Sequence, residues 1–208
     1  MRTCGIVLAG GRSTRMGTPK AELDWNGVPL LQRTVNALAL SCDGVVVVAA
    51  PAQAVQVTGA TVVRDQVGEQ GPLQALDDGL REAGRLGAGA AFVCATDMPL
   101  LHPAFITRVL ASLTPDVDVV LPMANSREQP LAAGYSTIVA EVTAELLIGG
   151  ERRLRALFAH CRVRRLGRAE LLADPALAAA DPQLHSLLNV NTPAQLAAVR
   201  ARAGHRPG

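Results

Sequence analysis

Three short runs in this chain are apolar from end to end: CGIVLA at 4–9, VVVVAA at 45–50 and AAFVCA at 90–95. A strand with one wet face alternates apolar and polar residues, so a strand without alternation is buried on both faces. Such strands belong to a parallel sheet covered by helices on either side. The stretches between them supply the helices. Residues 29–40 carry Leu30, Leu31, Val35, Leu38 and Ala39 on one side, and 72–84 and 103–113 are also helical, the last with Pro103 at its first turn. Further strands are expected at 60–64 and 117–122. The alternating order predicts an α/β fold, a three-layer sandwich around a mostly parallel, Rossmann-like sheet.

The second half is more mixed. It reads as a strand at 130–135, a helix at 138–148, a basic amphipathic helix at 151–159, an edge strand at 162–166, a surface loop at 173–182 and a closing helix at 193–202. Residues 1–203 are expected to form a single domain, with its first half binding nucleotide and its second half the acceptor, and 204–208 a disordered tail. The start of the chain passes directly into a strand, with no basic region and cleavage site. No run of about 18 apolar residues follows, so a soluble, cytoplasmic protein is expected. With 20 basic and 18 acidic residues the charge is balanced. No global field draws nucleic acid or an anionic membrane, and neither is an expected partner. The four cysteines make no CxxC pair and the four histidines no HExxH; they read as reduced core cysteines and scattered histidines, not as a zinc site.

The chemistry gathers after the first strand, in LAGGRSTRMGTPK at 8–20. Ligands of open parallel sheets bind at the carboxyl ends of strands, where this loop falls. Gly10, Gly11 and Gly17 let backbone N–H groups line an anion-binding concavity, and Arg15 and Lys20 add fixed positive charge for a triphosphate. Lys20 is the only lysine in the chain. The spacing is neither GxxxxGK[ST] nor GxGxxG, which excludes a Walker loop and a dinucleotide fingerprint. A plain glycine-rich turn has no need of three glycines, two arginines and that lysine.

Asp97 stands in ATDMP at 95–99, at the tip of the third apolar run, where it can hold Mg²⁺. Its plainer reading is a helix cap. Asp65 can bind a ribose hydroxyl or simply form a turn. Gly71-Pro72 opens a helix whose first turn attracts anions, or is only punctuation. Asn189 and Asn191 in NVNTP can orient phosphates or metal-bound water, while Thr192 before Pro193 is an N-cap. Arg127 and Gln129 in REQPL, and Arg152 and Arg153 in GGERR, are candidates for contacting an anionic acceptor. Their alternative is a solvated basic face.

Taken together, LAGGRSTRMGTPK, GPL at 71–73, TDMP, REQPLAAGY, GGERR and NVNTP resemble, in order and spacing, the molybdenum cofactor guanylyltransferases, over nearly the whole chain. The first motif alone is shared with other nucleotidyltransferases; the later ones are more specific. The resemblance implies a nucleotide-diphospho-sugar transferase-like fold. It also implies transfer of GMP from GTP to a molybdopterin-type acceptor, with Mg²⁺ as cofactor and pyrophosphate as product. Leu8, Ala9 and Gly10 would contact the guanine nucleotide; Gly11 and Arg15 would follow the phosphates. Lys20 would bind the α- or β-phosphate, Asp65 the nucleoside, and Asp97 both GTP and the metal. Transient contact with molybdenum-insertion proteins or apo-molybdoenzymes is a further implication. One departure is Ala75, where the family often has glycine two residues after GPL; another is Val48, at a position that would then offer a base only backbone. The acceptor phosphate is anionic at neutral pH, so catalysis would come from alignment and charge neutralisation without a strong base. Two other readings remain: a cytidylyl- or sugar-phosphate nucleotidyltransferase of the same fold, and a non-catalytic nucleotide-binding carrier.

Overall fold

The computed structural model describes residues 1–10, 21, 23–51, 53–64 and 71–203, the side chains of 201–203 excepted. Its core is a sheet of β1 (Thr3–Leu8), β4 (Gly44–Ala49), β5 (Thr61–Arg64), β6 (Ala90–Ala95), β7 (Val119–Ala124), β9 (Ala132–Ser136) and β10 (Val163–Leu166). The spatial order is β10-β7-β9-β6-β1-β4-β5. All neighbours in it are parallel except β9, which runs antiparallel to both β6 and β7. A short strand β8 (Arg127–Glu128) folds back on β7, and β2 (Asp24–Trp25) pairs with β3 (Val28–Pro29) in a separate hairpin.

Both faces are covered, as the unbroken apolar strands require. Cys4, Ile6 and Leu8 of β1 look toward α2 (Pro72–Arg85) and α4 (Val139–Ile148), with Leu73, Leu76, Leu80 and Val139 in the same cluster. Val7 faces the opposite layer, built from α1 (Leu30–Ala39), α3 (Pro103–Leu110), α5 (Arg168–Leu172) and α6 (Pro175–Ala180). Two glycines set how closely the inner helices approach. A Cβ at Gly5 would lie 2.7 Å from the Leu38 Cβ, and one at Gly79 2.7 Å from the Ile6 Cγ2. α1 and α2 therefore press against β1 from either side at a distance only a bare Cα permits. A third cluster, Trp25, Leu30, Leu100, Val190, Leu196 and Val199, joins the β2–β3 hairpin to the closing helix α7 (Pro193–Ala203).

The structure departs from expectation in the second half. The stretch 173–182 is not a loop: Asp174 accepts the Leu177 N–H at 2.8 Å, Pro175 starts the turn, and α6 buries Leu177. An aspartate cap, a proline and an alanine run suffice for a short helix. The basic helix expected at 151–159 shrinks to a 3-10 segment, Leu154–Ala159. The cause is Glu151, whose carboxylate takes the N–H groups of Arg152 and Arg153 and holds those residues outside the helix. The β2–β3 hairpin was not among the expected elements; it turns at Asn26-Gly27, a pair suited to two successive positive φ angles, here 52° and 85°.

Candidate functional site

Register brings the carboxyl ends of β1, β4 and β6 together at one edge of the sheet. Leu8 lies opposite Val48 on β4 and opposite Ala95 on β6. Adjacent strands are about 4.8 Å apart, so the loop leaving β1 and the segment leaving β6 start side by side. Gly10 sits against the end of β4, where a Cβ would meet Ala50 at 3.6 Å, an ordinary contact. The Ala9 N–H is engaged by the Val48 carbonyl at 2.8 Å, and the Leu8 side chain is buried in the core. What Leu8 and Ala9 offer a ligand is therefore mostly backbone and shape. Val48 is likewise buried with its carbonyl engaged. Gly11, Arg15, Gly17, Lys20 and Asp65, and the tail at 204–208, lie outside the described residues.

Asp97, half-buried, follows β6 by two residues. Its carbonyl accepts the Val190 N–H at 2.9 Å, which brings the NVNTP segment onto the same edge. Val190 is buried while Asn189 and Asn191 on either side are exposed beside the Asp97 segment. Thr192 caps α7 by accepting the Gln195 N–H at 3.2 Å, and the Gln195 side chain accepts the Asn191 N–H at 2.7 Å. Thr96 is 5% exposed, and its hydroxyl is buried without a hydrogen-bond partner among the described residues.

The antiparallel direction of β9 matters here. Cys94 near the end of β6 pairs with Ala132 at the start of β9, and the Ala95 N–H donates to the Leu131 carbonyl. Gln129 and the residues after it thus enter at the same carboxyl edge. β7 runs past β9 and turns at Asn125-Ser126, both with positive φ, to place Arg127 on the β7–β8 hairpin. The Gln129 side chain donates to the Arg127 carbonyl at 3.2 Å, and Arg127 is exposed.

Gly71 and Pro72 at the start of α2 meet the GGERR turn. A Cβ on Gly71 would stand 3.0 Å from the Arg152 carbonyl oxygen, and its φ of 82° with ψ of 177° is glycine geometry. The Arg152 guanidinium is folded onto the Leu147 and Glu151 carbonyls at 2.9 and 2.8 Å, satisfying the end of α4. Arg153 grips the Glu151 carboxylate through its Nε and Nη2, at 3.0 and 2.8 Å. That guanidinium, with the backbone N–H groups of Arg153 and Arg152, pulls the Glu151 carboxyl down to about 2. Both arginines are thus held by internal acceptors, and Arg153 remains exposed.

No group of three or more His, Cys, Asp or Glu that could hold a metal exists among the described residues. Among the described residues this edge offers one hard carboxylate, Asp97, next in sequence to the orphaned Thr96 hydroxyl. Such a donor set fits Mg²⁺ carried mainly by phosphate oxygens and water, not a protein-caged transition metal. All four cysteines are free, and burial pushes the thiols of Cys4 and Cys161 up to about 11 and of Cys42 to about 12, in keeping with reduced core residues.

Sequence reasoning missed two supports of this edge. Arg33 donates its Nε–H to the Pro99 carbonyl at 2.6 Å, and Asp77 with Thr143 joins α2 to α4 at 2.5 Å. Neither lies in a motif; both arise from contacts 66 residues apart.

A family model described as the MobA-like NTP transferase domain matches residues 5–168. A protein of Mycobacterium avium (strain 104) named "Probable molybdenum cofactor guanylyltransferase" is 41% identical over 207 residues, 98% of each chain. A protein of the same name from Mycobacterium marinum is 38% identical over 204 residues, 97% of this chain and 94% of the relative. The fold is similar to the crystal structure of molybdopterin-guanine dinucleotide biosynthesis protein A from Archaeoglobus fulgidus, with a TM-score of 0.73 at 19% identity over 98% of this chain and 100% of the other. It is similar also to 2-C-methyl-D-erythritol 4-phosphate cytidylyltransferase from Thermus thermophilus, with a TM-score of 0.70, 19% identity and the same coverage.

Proposed function

The chain belongs to the MobA-like NTP transferase family, and from that premise we propose that it transfers GMP from GTP to the phosphate of a molybdopterin-bound molybdenum cofactor. The acceptor phosphate oxygen attacks the α-phosphorus, the bond to the β-phosphate oxygen breaks, and pyrophosphate leaves. The observation that carries the reading is the Leu8–Ala95 register, which sets the end of β1 and the segment leaving β6 toward Asp97 side by side at one carboxyl edge. The full-length relatives support guanylyl transfer over the cytidylyl reaction; the likeness to the cytidylyltransferase speaks only for the fold.

In this reading Gly10, Gly11 and Gly17 bring backbone N–H groups to the triphosphate, with Arg15 and Lys20 neutralising its charge. Asp65 contacts the nucleoside. Asp97 would hold Mg²⁺, which supplies charge neutralisation at the phosphates when bound. Gly71, Pro72, Arg127, Gln129, Arg152, Arg153, Asn189 and Asn191 form the acceptor side. Binding an anionic acceptor there would compete with the backbone carbonyls that hold Arg152 and the Glu151 carboxylate that holds Arg153; the exchange would give Arg152 a charged partner and leave Arg153 with one. Residues 1–203 act as one transferase unit. No helix among the described residues is long and apolar enough to cross a membrane. We assign the reaction to the cytoplasm.

The test is incubation with Mg²⁺, molybdopterin-type cofactor and GTP, CTP or UTP in turn, followed by product mass and pyrophosphate release. A guanine dinucleotide product from GTP is expected. Asp97→Ala and Lys20→Ala should each lower kcat by at least about 10²-fold, the scale of losing one preorganised charge at a transition state. Wild-type turnover in both, or product with CTP in preference to GTP, would overturn the assignment.

A further inference from the structure

The segment that carries Asp97 is held from outside the sheet by a stacked cation. Trp25, the only tryptophan, is 3% exposed. The Arg33 guanidinium carbon lies 5.5 Å from its ring centroid and that of Arg200 5.9 Å. Arg33 at the same time donates to the Pro99 carbonyl at 2.6 Å. Arg200, on α7, donates to the Asp24 carbonyl and pairs with the Asp24 carboxylate at 3.7 Å. A second tether reaches the same segment: Val190, in the cluster with Trp25, donates to the Asp97 carbonyl. Asp97 and Pro99 are thus pinned two residues apart by two elements of one aromatic-centred cluster. A guanidinium that stacks and donates in a fixed plane is a stiffer tether than an ammonium.

We propose that Arg33 is a positioning residue for Asp97: set over the Trp25 ring, it holds Pro99 and so sets the carboxylate's place at the nucleotide edge. The inference rests on the reading of Asp97 as the metal-holding group. It requires that metal–nucleotide binding and the Trp25 environment sense each other, although Arg33 need touch neither ligand.

The experiment measures Mn²⁺ binding in the presence of GTP by electron paramagnetic resonance of free Mn²⁺, on wild type, Arg33→Ala and Arg33→Lys. Trp25 fluorescence is followed in the same titrations. Arg33→Ala should weaken Mn²⁺ binding about 10-fold, with GTP alone bound within about 2-fold of wild type. Arg33→Lys, which keeps a donor and the charge but loses the fixed plane, should fall between, at about 3- to 5-fold weaker. Wild-type fluorescence should change on adding Mn²⁺ to the GTP-bound protein, and Asp97→Ala should abolish that change. A merely structural arginine would lower the folded fraction and leave the affinity of the folded protein unmoved. Mn²⁺ binding within 2-fold of wild type in folded Arg33→Ala overturns the proposal; should that variant not fold, the same result in Arg33→Lys does so. A wild type that binds Mn²⁺ with GTP but forms no dinucleotide product refutes the guanylyltransferase reading and leaves Arg33 to be decided by the binding series.

Discussion

Replacing Gly71 by alanine probes the junction where α2 begins and the GGERR turn passes. The residue has φ 82° and ψ 177°, a region open in practice to glycine alone. Holding another residue there costs about 1–3 kcal/mol. The new Cβ would also stand 3.0 Å from the Arg152 carbonyl oxygen. That oxygen cannot retreat freely, because the Arg152 N–H is bound to the Glu151 carboxylate and its guanidinium to the end of α4. Against this, alanine narrows the unfolded ensemble and returns about 0.4–1 kcal/mol. Strain wins, and a net loss of about 1–2 kcal/mol is expected. In a chain of this size each kcal/mol shifts Tm by about 2–4 °C, so Gly71→Ala should melt about 2–8 °C lower. Relief of the clash must move either α2 or the turn, so the acceptor KM should rise more than the GTP KM. Thermal unfolding by circular dichroism and kinetics with each substrate varied separately supply both readouts. A Tm equal to or above wild type would refute the strain assignment.

Three other perturbations address different supports. Gly79→Ala gains about 1 kcal/mol of helix propensity. It also drives a methyl to within 2.7 Å of Ile6 and 3.2 Å of Val48, overpacking that costs about 1–3 kcal/mol, so calorimetry should show net destabilisation. Thr143→Val removes the hydroxyl that donates to the Asp77 carboxylate at 2.5 Å, in a site where Asp77 is only 5% exposed. The variant should lose about 1–3 kcal/mol by denaturant titration, and an unchanged midpoint would deny that this bond joins α2 to α4. The Arg162 guanidinium beside Asp118 holds its carboxyl below the ordinary carboxylate range. A lowered folded pKa means the stabilisation is complete above the unfolded value of about 4 and fades as pH falls through the folded one. The Tm gap between wild type and Asp118→Asn should therefore be widest near neutrality and close in acid; a gap that widens in acid would contradict the sign.

Much of this molecule could be read before any coordinate was seen, and the reason is local. Burial on both faces writes itself into 4–9, 45–50 and 90–95 as unbroken apolar runs, so the covered parallel sheet followed from composition along the strand. A glycine-rich loop after the first strand and an aspartate at the tip of another likewise announce a ligand edge by position alone. The local signals Asn26-Gly27 and Asp174-Pro175 went unread: no hairpin was expected at the first and a loop was expected around the second, where the chain forms a hairpin and a short helix.

Tertiary structure decided what depends on distant partners. Nothing local in ERRLRALFA says that the Arg152 carbonyl oxygen will pass 3.0 Å from where a Cβ on Gly71 would stand. The reversal of β9 brings Leu131 to the end of β6, and no periodicity shows strand direction. Arg33 reads as one more polar position on an amphipathic helix until the fold brings Pro99 and Trp25 to it. Side-chain periodicity records how much of a residue is buried, because burial is a property of its own surface. It does not record against whom, because that is set by chain closure over tens of residues.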